Sequence, residues 1–365
     1  MNLDVGSIAD MLLGDAQLCN DRLSLALGDC TLQVRSNSAA VIGGLRQYFS
    51  HVPAGTGQPD MEVIAIEREA PATGIEFVDW QREPGKVGRK DSCFDVPGGR
   101  VVRKVRTGMV FLQSETQRIA AGPCLEFDNQ VINFINAQYM NWLQHRGWLI
   151  CHSAGLVYRD SCFGIAGFSG GGKSTLMLHL LDNEEVGYLT NDRLFVRREA
   201  GQARALGIPK LPRVNPGTIV HNARLQGLIP AGRRAELLAM PAADLWQLED
   251  KYDVHMDRVY GPGRVVPEAL LGGYLVLNWD RDSDVALKVK PVTLDSRRDL
   301  LAAIMKSPGP FYQYPDGSFH RDDAVFDEQA YLDVLQGVAV YEVSGRVDFD
   351  MLASICLNDL LLANQ

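Results

Sequence analysis

The sequence predicts an α/β protein with a β-rich α+β domain at its N-terminal end. Three observations lead to this fold class. Residues 1–125 contain short alternating runs separated by turn dipeptides. From residue 126 onward, strand and helix patterns alternate. A glycine-rich segment at 167–174 joins an apolar strand pattern to a helix pattern. A length of 365 residues favours two domains, and we place them at 1–125 and 126–365.

The N-terminal domain is expected to consist mainly of hairpins. Turn signals such as Pro97-Gly98-Gly99 and Thr107-Gly108 separate its apolar runs. One helix is expected at 39–49, and the strands at 23–27, 31–34, 61–67, 94–96, 101–105 and 109–112. No catalytic signature occurs in this part, so its role stays unassigned.

The second domain begins with a strong amphipathic helix from Asp128, with Gly147 as its terminator. An antiparallel hairpin is expected to lead into the glycine-rich segment. The strands are predicted at 148–151, 156–158, 162–166, 186–190, 273–278, 285–290 and 338–343. The later helices are predicted at 174–181, 296–305, 328–335 and 349–362. The last of these favours core packing or an oligomer contact.

Charge and cysteine content exclude several classes of protein. With 36 Lys and Arg against 45 Asp and Glu, the net charge is −9, which disfavours nucleic acids and anionic membranes as partners. No apolar run is long enough to span a bilayer, and the N-terminus lacks the pattern of a secretory signal. The seven cysteines are scattered without a Cys-x-x-Cys pair, so we expect free thiols and a cytoplasmic protein.

The chemistry-bearing motif is Gly-Phe-Ser-Gly-Gly-Gly-Lys-Ser at 167–174, which fits the P-loop pattern at every position. A strand precedes it and a helix follows, as phosphate binding by backbone N–H groups requires. Lys173 is expected to bridge the β- and γ-phosphates of ATP, and the Ser174 hydroxyl to bind Mg²⁺. The alternative is a glycine-rich hairpin turn. The nucleotide-binding residues are predicted to be Gly167, Ser169, Gly170, Gly171, Gly172, Lys173, Ser174 and Thr175.

Asp192 is the candidate for a second metal ligand. It follows an apolar strand and lies 19 residues after Lys173, where a carboxylate beside the P-loop strand holds the metal. The alternative is an ordinary turn residue at a strand end. The chain lacks an Asn-Lys-x-Asp guanine reader, a Leu-Ser-Gly-Gly-Gln signature and an Asp-Glu pair at a strand end. These absences disfavour a GTPase, a transport ATPase and an AAA motor.

Four features together resemble the HPr kinase/phosphorylase family, most closely the group called HprK-related kinase B. The first two are His152-Ser153-Ala154 and the P-loop that follows it. Asn191-Asp192-Arg193 occupies the place of the family's Asp-Asp-Arg. The segment 206–213 is similar to the family's Arg-Gly-Leu-Gly-Ile region. The resemblance covers residues 140–220.

The resemblance implies a P-loop core of mixed sheet and helices, of the kind shared with PEP carboxykinases. It implies Mg²⁺-dependent transfer of the γ-phosphate of ATP to a serine of a small partner protein. The resemblance also implies a role for each site residue. Lys173 would bind the β- and γ-phosphates, and Ser174 and Asp192 would hold Mg²⁺. His152 would contact the transferred phosphate or the nucleophile. A homo-oligomer is compatible with the resemblance.

The sequence departs from the family at Asn191, where the family has the aspartate that acts as general base. An amide cannot take a proton at neutral pH. The general base is therefore Asp192 or His152, or the reaction proceeds without one because its loose transition state needs mainly positioning and charge. The same change makes the reverse, phosphorolytic reaction doubtful. Lys210 and Arg213 either reach the γ-phosphate or are solvated loop cations. A metabolite kinase and a non-enzymatic nucleotide sensor therefore remain as alternative functions.

Overall fold

The computed structural model describes residues 3–81, 88–168, 170–248, 250–280 and 282–361. The chain divides into two compact units. Unit 1 consists of residues 1–147 and 307–326, and unit 2 of residues 148–306 and 327–365. The division therefore falls after Gly147 rather than after residue 125. The reason is that the helix at Asp128–Gln144 packs on strands of the N-terminal sheet.

Unit 1 is built on a mixed sheet with helices on it. Its helices are α1 (Val5–Leu13), α2 (Ala39–Tyr48) and α3 (Asp128–Gln144). Its strands are β1 (Arg22–Leu27), β2 (Cys30–Ser36), β3 (Met61–Glu67), β4 (Val78–Asp79), β5 (Asp91–Val96), β6 (Gly99–Lys104), β7 (Val110–Ser114) and β8 (Arg118–Gly122). The strand order is β1-β2-β3-β8-β7-β6-β5-β4, and only the β2–β3 and β3–β8 pairs in this order are parallel.

Helix α1 begins with a capping box, in which Asp4 and Ser7 each accept a hydrogen bond from the other's backbone N–H. Ile8 and Leu12 are fully buried and belong to one apolar cluster with residues of β6, β7 and β8. Helices α2 and α3 contact β2. Helix α3 also contacts β3, and its buried side chains form part of the apolar core of unit 1.

The later segment 307–326 also belongs to unit 1. Asn141 of α3 donates a buried hydrogen bond to the carbonyl of Phe311, 2.8 Å away. The Phe311 ring meets those of Phe111 and Phe134 at centroid distances of 5.5 and 5.1 Å. The core of unit 1 therefore includes a part of the chain that follows most of unit 2 in sequence.

Unit 2 contains the remaining elements. Its helices are α4 (Lys173–Leu181), α5 (Pro216–Val220), α6 (Ala231–Leu238), α7 (Ala242–Gln247), α8 (Met256–Val259), α9 (Leu301–Ile304), α10 (Glu328–Leu335) and α11 (Phe349–Ile355). Its strands are β9 (Leu149–Cys151), β10 (Ala154–Tyr158), β11 (Ser161–Gly167), β12 (Val186–Thr190), β13 (Leu194–Glu199), β14 (Gln202–Gly207), β15 (Arg213–Val214), β16 (Tyr252–Asp253), β17 (Glu268–Leu277), β18 (Lys288–Val292) and β19 (Ala339–Ser344).

The main sheet of unit 2 is mixed and follows the order β12-β10-β11-β17-β14-β13-β9. Strand β17 is long, so its first half pairs with β14 and its second half pairs with β19. Strands β11, β17 and β19 run parallel, whereas β10 is antiparallel to both β11 and β12. Strands β11, β12, β17 and β19 therefore all end at the same edge, where β10 begins.

A buried arginine fixes the connection between α4 and β12. The Arg264 guanidinium donates hydrogen bonds to the carbonyls of Leu181, Asn183 and Val186, and it is 9% exposed. These carbonyls belong to the end of α4, the turn and the start of β12. Five hydrogen bonds to carbonyls, including one to Tyr260, satisfy the buried guanidinium.

The predicted hairpin before the glycine-rich segment is present as β10 and β11. Helices α1 and α5 to α8, strands β4, β8, β15 and β16 and the β13–β14 hairpin were not predicted from the sequence. The predicted helix at 349–362 is shorter, because α11 ends at Ile355 and a π-helical turn follows over Cys356–Leu360. The predicted helix at 296–305 is a 3₁₀ turn at Arg298–Leu300 followed by α9.

The seven cysteines are free thiols, as the sequence predicted. Burial raises the pKa of Cys151, Cys124 and Cys356 to about 12, so these thiols stay protonated. In the described part of the chain, no helix has both the length and the apolar character needed to cross a bilayer.

Candidate functional site

The topology of unit 2 brings the glycine loop, Asn191, Asp192 and His152 to one edge of its sheet. Strand β11 ends at Gly167 and β12 ends at Thr190, directly before Asn191. Strand β10 begins at Ala154, two residues after His152. Ligands bind at such edges because loops after parallel strands converge there. The candidate site therefore lies wholly within unit 2.

The glycine-rich loop joins β11 to the N-terminus of α4. Gly170 and Gly172 have φ values of +76° and +84°, which residues with a Cβ adopt only at a cost. Gly172 is the N-cap of α4, and among the described residues no side chain caps the helix. The first N–H groups of α4 are thus directed to the loop and suited to an anion. Ser169 lies outside the described residues.

Two aromatic side chains brace this loop. The Trp279 indole N–H, just after β17, donates a 2.9 Å hydrogen bond to the carbonyl of Gly171. The Phe349 ring, at the start of α11, lies beside Gly172 and meets the Trp279 ring edge-on at 5.0 Å. The His179 ring stacks on Phe349 from α4 with a centroid distance of 6.0 Å. The sequence analysis assigned no site role to Trp279 or Phe349.

The side chains at the start of α4 turn back toward the loop and the neighbouring strand. The Lys173 ammonium donates to the Gly167 carbonyl at 2.9 Å. The Ser174 hydroxyl donates to Asn191 Oδ1 at 2.9 Å. The Thr175 hydroxyl lies 3.3 Å from that of Thr218 in α5. The contact between Ser174 and Asn191 places the end of β12 beside the helix N-terminus.

Asp192 is held by two basic side chains, one at each carboxylate oxygen. His152 Nε2 lies 3.2 Å from Oδ1, and Lys306 Nζ lies 3.5 Å from Oδ2. Burial acts to raise the pKa of Asp192, but Lys306, the hydrogen bond from His152 and the nearby Arg193 outweigh it. The pKa of Asp192 therefore lies well below its usual range, and the carboxylate is ionised. The sequence analysis did not find Lys306.

The remaining predicted cations differ in their surroundings. Arg213 pairs with Asp253 at 3.2 Å and donates to the Lys251 carbonyl, so its guanidinium joins β15 to β16. Burial, followed by repulsion from Arg193 and Arg213, lowers the pKa of Lys210 to about 7. Asp192 acts on Lys210 in the opposite direction, so the two side chains lie within electrostatic reach.

Arg193 is a further cation near Asp192. In the sequence it was noted as part of the Asn-Asp-Arg motif, with no role of its own. Its Nη1 atom is buried, and among the described residues it has no hydrogen-bond partner. A buried guanidinium N–H without a partner is costly, so this group is available to an acceptor that can reach it. Together, Arg193 and Lys306 make the surroundings of Asp192 locally positive in a chain of net charge −9.

The donor set is compatible with a phosphate-bound Mg²⁺. Within the described ranges, no cluster of three or more His, Cys, Asp or Glu side chains could hold a metal alone. A magnesium ion in a nucleotide site needs few protein ligands, because phosphate oxygens and water supply the others. The Ser174 hydroxyl donates a hydrogen bond to Asn191, which leaves the oxygen lone pairs of Ser174 available, and Asp192 is ionised.

No family model matches this chain, and no curated protein matches it. Among solved structures, the chain is similar to the Hpr(Ser) kinase/phosphatase from Coxiella burnetii. The identity is 12%, the match covers 59% of this chain and 92% of that chain, and the TM-score is 0.29. A similarity this weak carries no argument, and the site has to be judged on its own geometry.

Proposed function

We propose that this chain is an ATP-dependent phosphotransferase, and specifically a protein-serine kinase of the HPr kinase type. It would transfer the γ-phosphate of ATP to a serine of a small partner protein. The observation that supports this most is the unit formed by β11, the glycine loop and α4, with Ser174 bonded to the residue before Asp192. That arrangement presents backbone N–H groups, an ammonium and a carboxylate to one small volume.

The nucleotide would bind through local groups, because the chain as a whole is acidic. The N–H groups of the loop and of the first turn of α4 would surround the β-phosphate. The Lys173 ammonium donates a hydrogen bond to the Gly167 carbonyl. When ATP binds, it would instead contact oxygens of the β- and γ-phosphates. Lys210 interacts electrostatically with Asp192, and a phosphate bound there would favour its protonated form, which would stabilise charge in the transition state.

Ser174 and Asp192 would hold Mg²⁺. When bound, the metal ion would neutralise charge on the phosphate oxygens. Asp192 suits this role because its surroundings keep it ionised. Asn191 orients the Ser174 hydroxyl by accepting a hydrogen bond from it. A magnesium titration of ATP binding tests the assignment, because Ser174→Ala should weaken the metal dependence without abolishing ATP binding.

The acceptor's proton poses a separate question. Asn191 cannot take it, and the low pKa of Asp192 makes that carboxylate a weak base. His152 is the remaining candidate, unless positioning and charge suffice for a loose transition state. In each case we expect little phosphorolysis. Asn191→Asp is the probe, since a restored carboxylate should add ATP hydrolysis or phosphorolysis if Asn191 only replaces a base.

The central experiment incubates the protein with γ-labelled ATP, Mg²⁺ and the small proteins encoded by neighbouring genes. Label on a serine of one of them supports the proposal, provided that Lys173→Ala abolishes the transfer. Lys288→Ala is the matched control, since Lys288 is exposed on β18 of the same unit. Equal labelling by wild type and Lys173→Ala contradicts the proposal, and label that migrates as a small solute favours a metabolite kinase.

A second candidate function is a nucleotide sensor without transfer activity. The contact between Ser174 and Asn191 favours it, because a neutral amide lies where a carboxylate would assist chemistry. Tight ATP binding, with no transfer to any acceptor in wild type or in Asn191→Asp, would support the sensor.

A further inference from the structure

Lys306 is a basic residue of the site that no motif contains. Its ammonium lies 3.5 Å from Asp192 Oδ2, and its side chain is only 14% exposed. Asp192 Oδ1 is paired separately with His152. Each oxygen of this carboxylate thus has its own basic partner.

The backbone fixes the position of Lys306. The His152 N–H donates to the Ile304 carbonyl at 2.7 Å, and Cys151 forms an antiparallel bridge with Met305. The two segments that supply His152 and Lys306 are therefore bonded directly to each other. A largely buried lysine held in this way keeps its charge at one place, unlike a mobile surface lysine.

An ammonium at this position competes with a metal ion for the same carboxylate. Two cations cannot both approach Asp192 Oδ2 closely without strong repulsion. If Mg²⁺ binds Asp192, the Lys306 ammonium loses its partner and needs another anion nearby. The terminal phosphate is that anion, since Asn191 links Asp192 to Ser174 and so to the helix N-terminus.

We propose that Lys306 is a phosphate-binding residue that pairs with Asp192 in the nucleotide-free protein and with the terminal phosphate of a nucleoside triphosphate in the complex. This inference rests on the proposed function only for the identity of the ligand. It makes two predictions of opposite sign. Loss of the ammonium weakens binding of nucleotide when Mg²⁺ is bound, and it strengthens binding of metal without nucleotide.

The test compares Lys306→Met with Lys306→Arg, which keeps the charge, and with Lys288→Met, which makes the same change in net charge at an exposed site. Calorimetry measures ATP binding at saturating Mg²⁺, and Mn²⁺ electron paramagnetic resonance measures binding of the metal alone. We expect Lys306→Met to weaken ATP binding about tenfold, the effect of one charged hydrogen bond. We expect the same variant to bind Mn²⁺ more tightly than wild type, and the other two variants to stay within about threefold of wild type.

Unchanged ATP affinity in Lys306→Met would show that the ammonium does not contact the phosphate. Unchanged Mn²⁺ affinity would show that the ammonium does not compete for Asp192. Either result overturns the proposal. If Lys306→Met fails to fold, Lys306→Gln provides the same comparison with a polar side chain.

The outcomes also separate this inference from the kinase proposal. A wild-type protein that binds no ATP, with or without Mg²⁺, contradicts both. A protein that shows both effects of Lys306→Met but transfers phosphate to no acceptor supports the role of Lys306 and contradicts the kinase proposal alone.

Discussion

The glycine loop allows a backbone effect to be separated from a steric one. Gly170 and Gly172 both have positive φ, at +76° and +84°. A Cβ at Gly170 would meet nothing within 4 Å, whereas a Cβ at Gly172 would lie 2.5 Å from Cζ of Phe349. Gly170→Ala and Gly172→Ala therefore share the conformational cost, and only Gly172→Ala adds a collision.

The magnitudes follow from these two contributions. A left-handed conformation destabilises alanine in the folded state by about 1–2 kcal/mol. Alanine also lowers the conformational entropy of the unfolded chain, which offsets about 0.4–1 kcal/mol of this loss of stability. Gly170→Ala should thus destabilise by about 1 kcal/mol. The collision adds about 1–3 kcal/mol for overpacking. The Phe349 ring cannot easily turn away, because it packs against both His179 and Trp279.

Urea unfolding followed by tryptophan fluorescence measures both variants, and calorimetry measures their ATP affinity. Gly172→Ala should be the less stable by about 1–3 kcal/mol. Phe349→Leu should recover part of that difference when combined with Gly172→Ala, and none when combined with Gly170→Ala. Equal stability of the two alanine variants, or an equal effect of Phe349→Leu in both, would refute the reasoning.

Three further predictions concern individual side chains. The lowered pKa of Asp192 means that its carboxylate stabilises the fold above about pH 4 and that this stability is lost as the pH falls through its folded pKa. Wild type should therefore have a higher urea midpoint than Asp192→Asn at neutral pH, and the two midpoints should converge in acid. The difference should be modest, because the Asp192 side chain is 45% exposed. With a folded pKa of about 7, Lys210 binds its proton more tightly in the unfolded chain, so stability should rise between about pH 7 and pH 10. In Lys210→Met, the free energy of unfolding from urea titrations should rise less steeply over this pH range. An unchanged rise contradicts the lowered pKa of Lys210. Trp279→Phe removes the indole hydrogen bond to Gly171 and should weaken ATP binding by about 1 kcal/mol in calorimetry, and no change would show that the brace is irrelevant to binding.

Local signals made the glycine loop and its flanking elements predictable. The apolar strand, the two glycines with positive φ and the helix-forming residues after them are contiguous in sequence. Strand β12 was predicted with its observed ends for the same reason, which correctly placed Asn191 and Asp192 directly after a strand. Helix α1 could also have been found, since Asp4 and Ser7 have the spacing of a capping box.

Tertiary contacts made the rest of the site unpredictable from the sequence. Lys306 reaches Asp192 only because the residues after α9 bridge to the end of β9. Trp279 and Phe349 reach the loop because β17 and β19 run parallel to β11 and end at the same edge. The β13–β14 hairpin was missed because its strands carry charged residues such as Arg197 and Arg198, although the Ala200-Gly201 turn was a usable signal.

The discontinuous composition of unit 1 has a consequence for synthesis on the ribosome. Phe311 packs on Phe134 and bonds to Asn141, yet residues 148–306 must be translated before it emerges. While residues 148–306 are being translated, the part of unit 1 that has already emerged therefore lacks Phe311, and its aromatic core is incomplete. Release of a nascent chain before residue 326 should leave that core open, and a chaperone that binds exposed aromatic surface would find its target there.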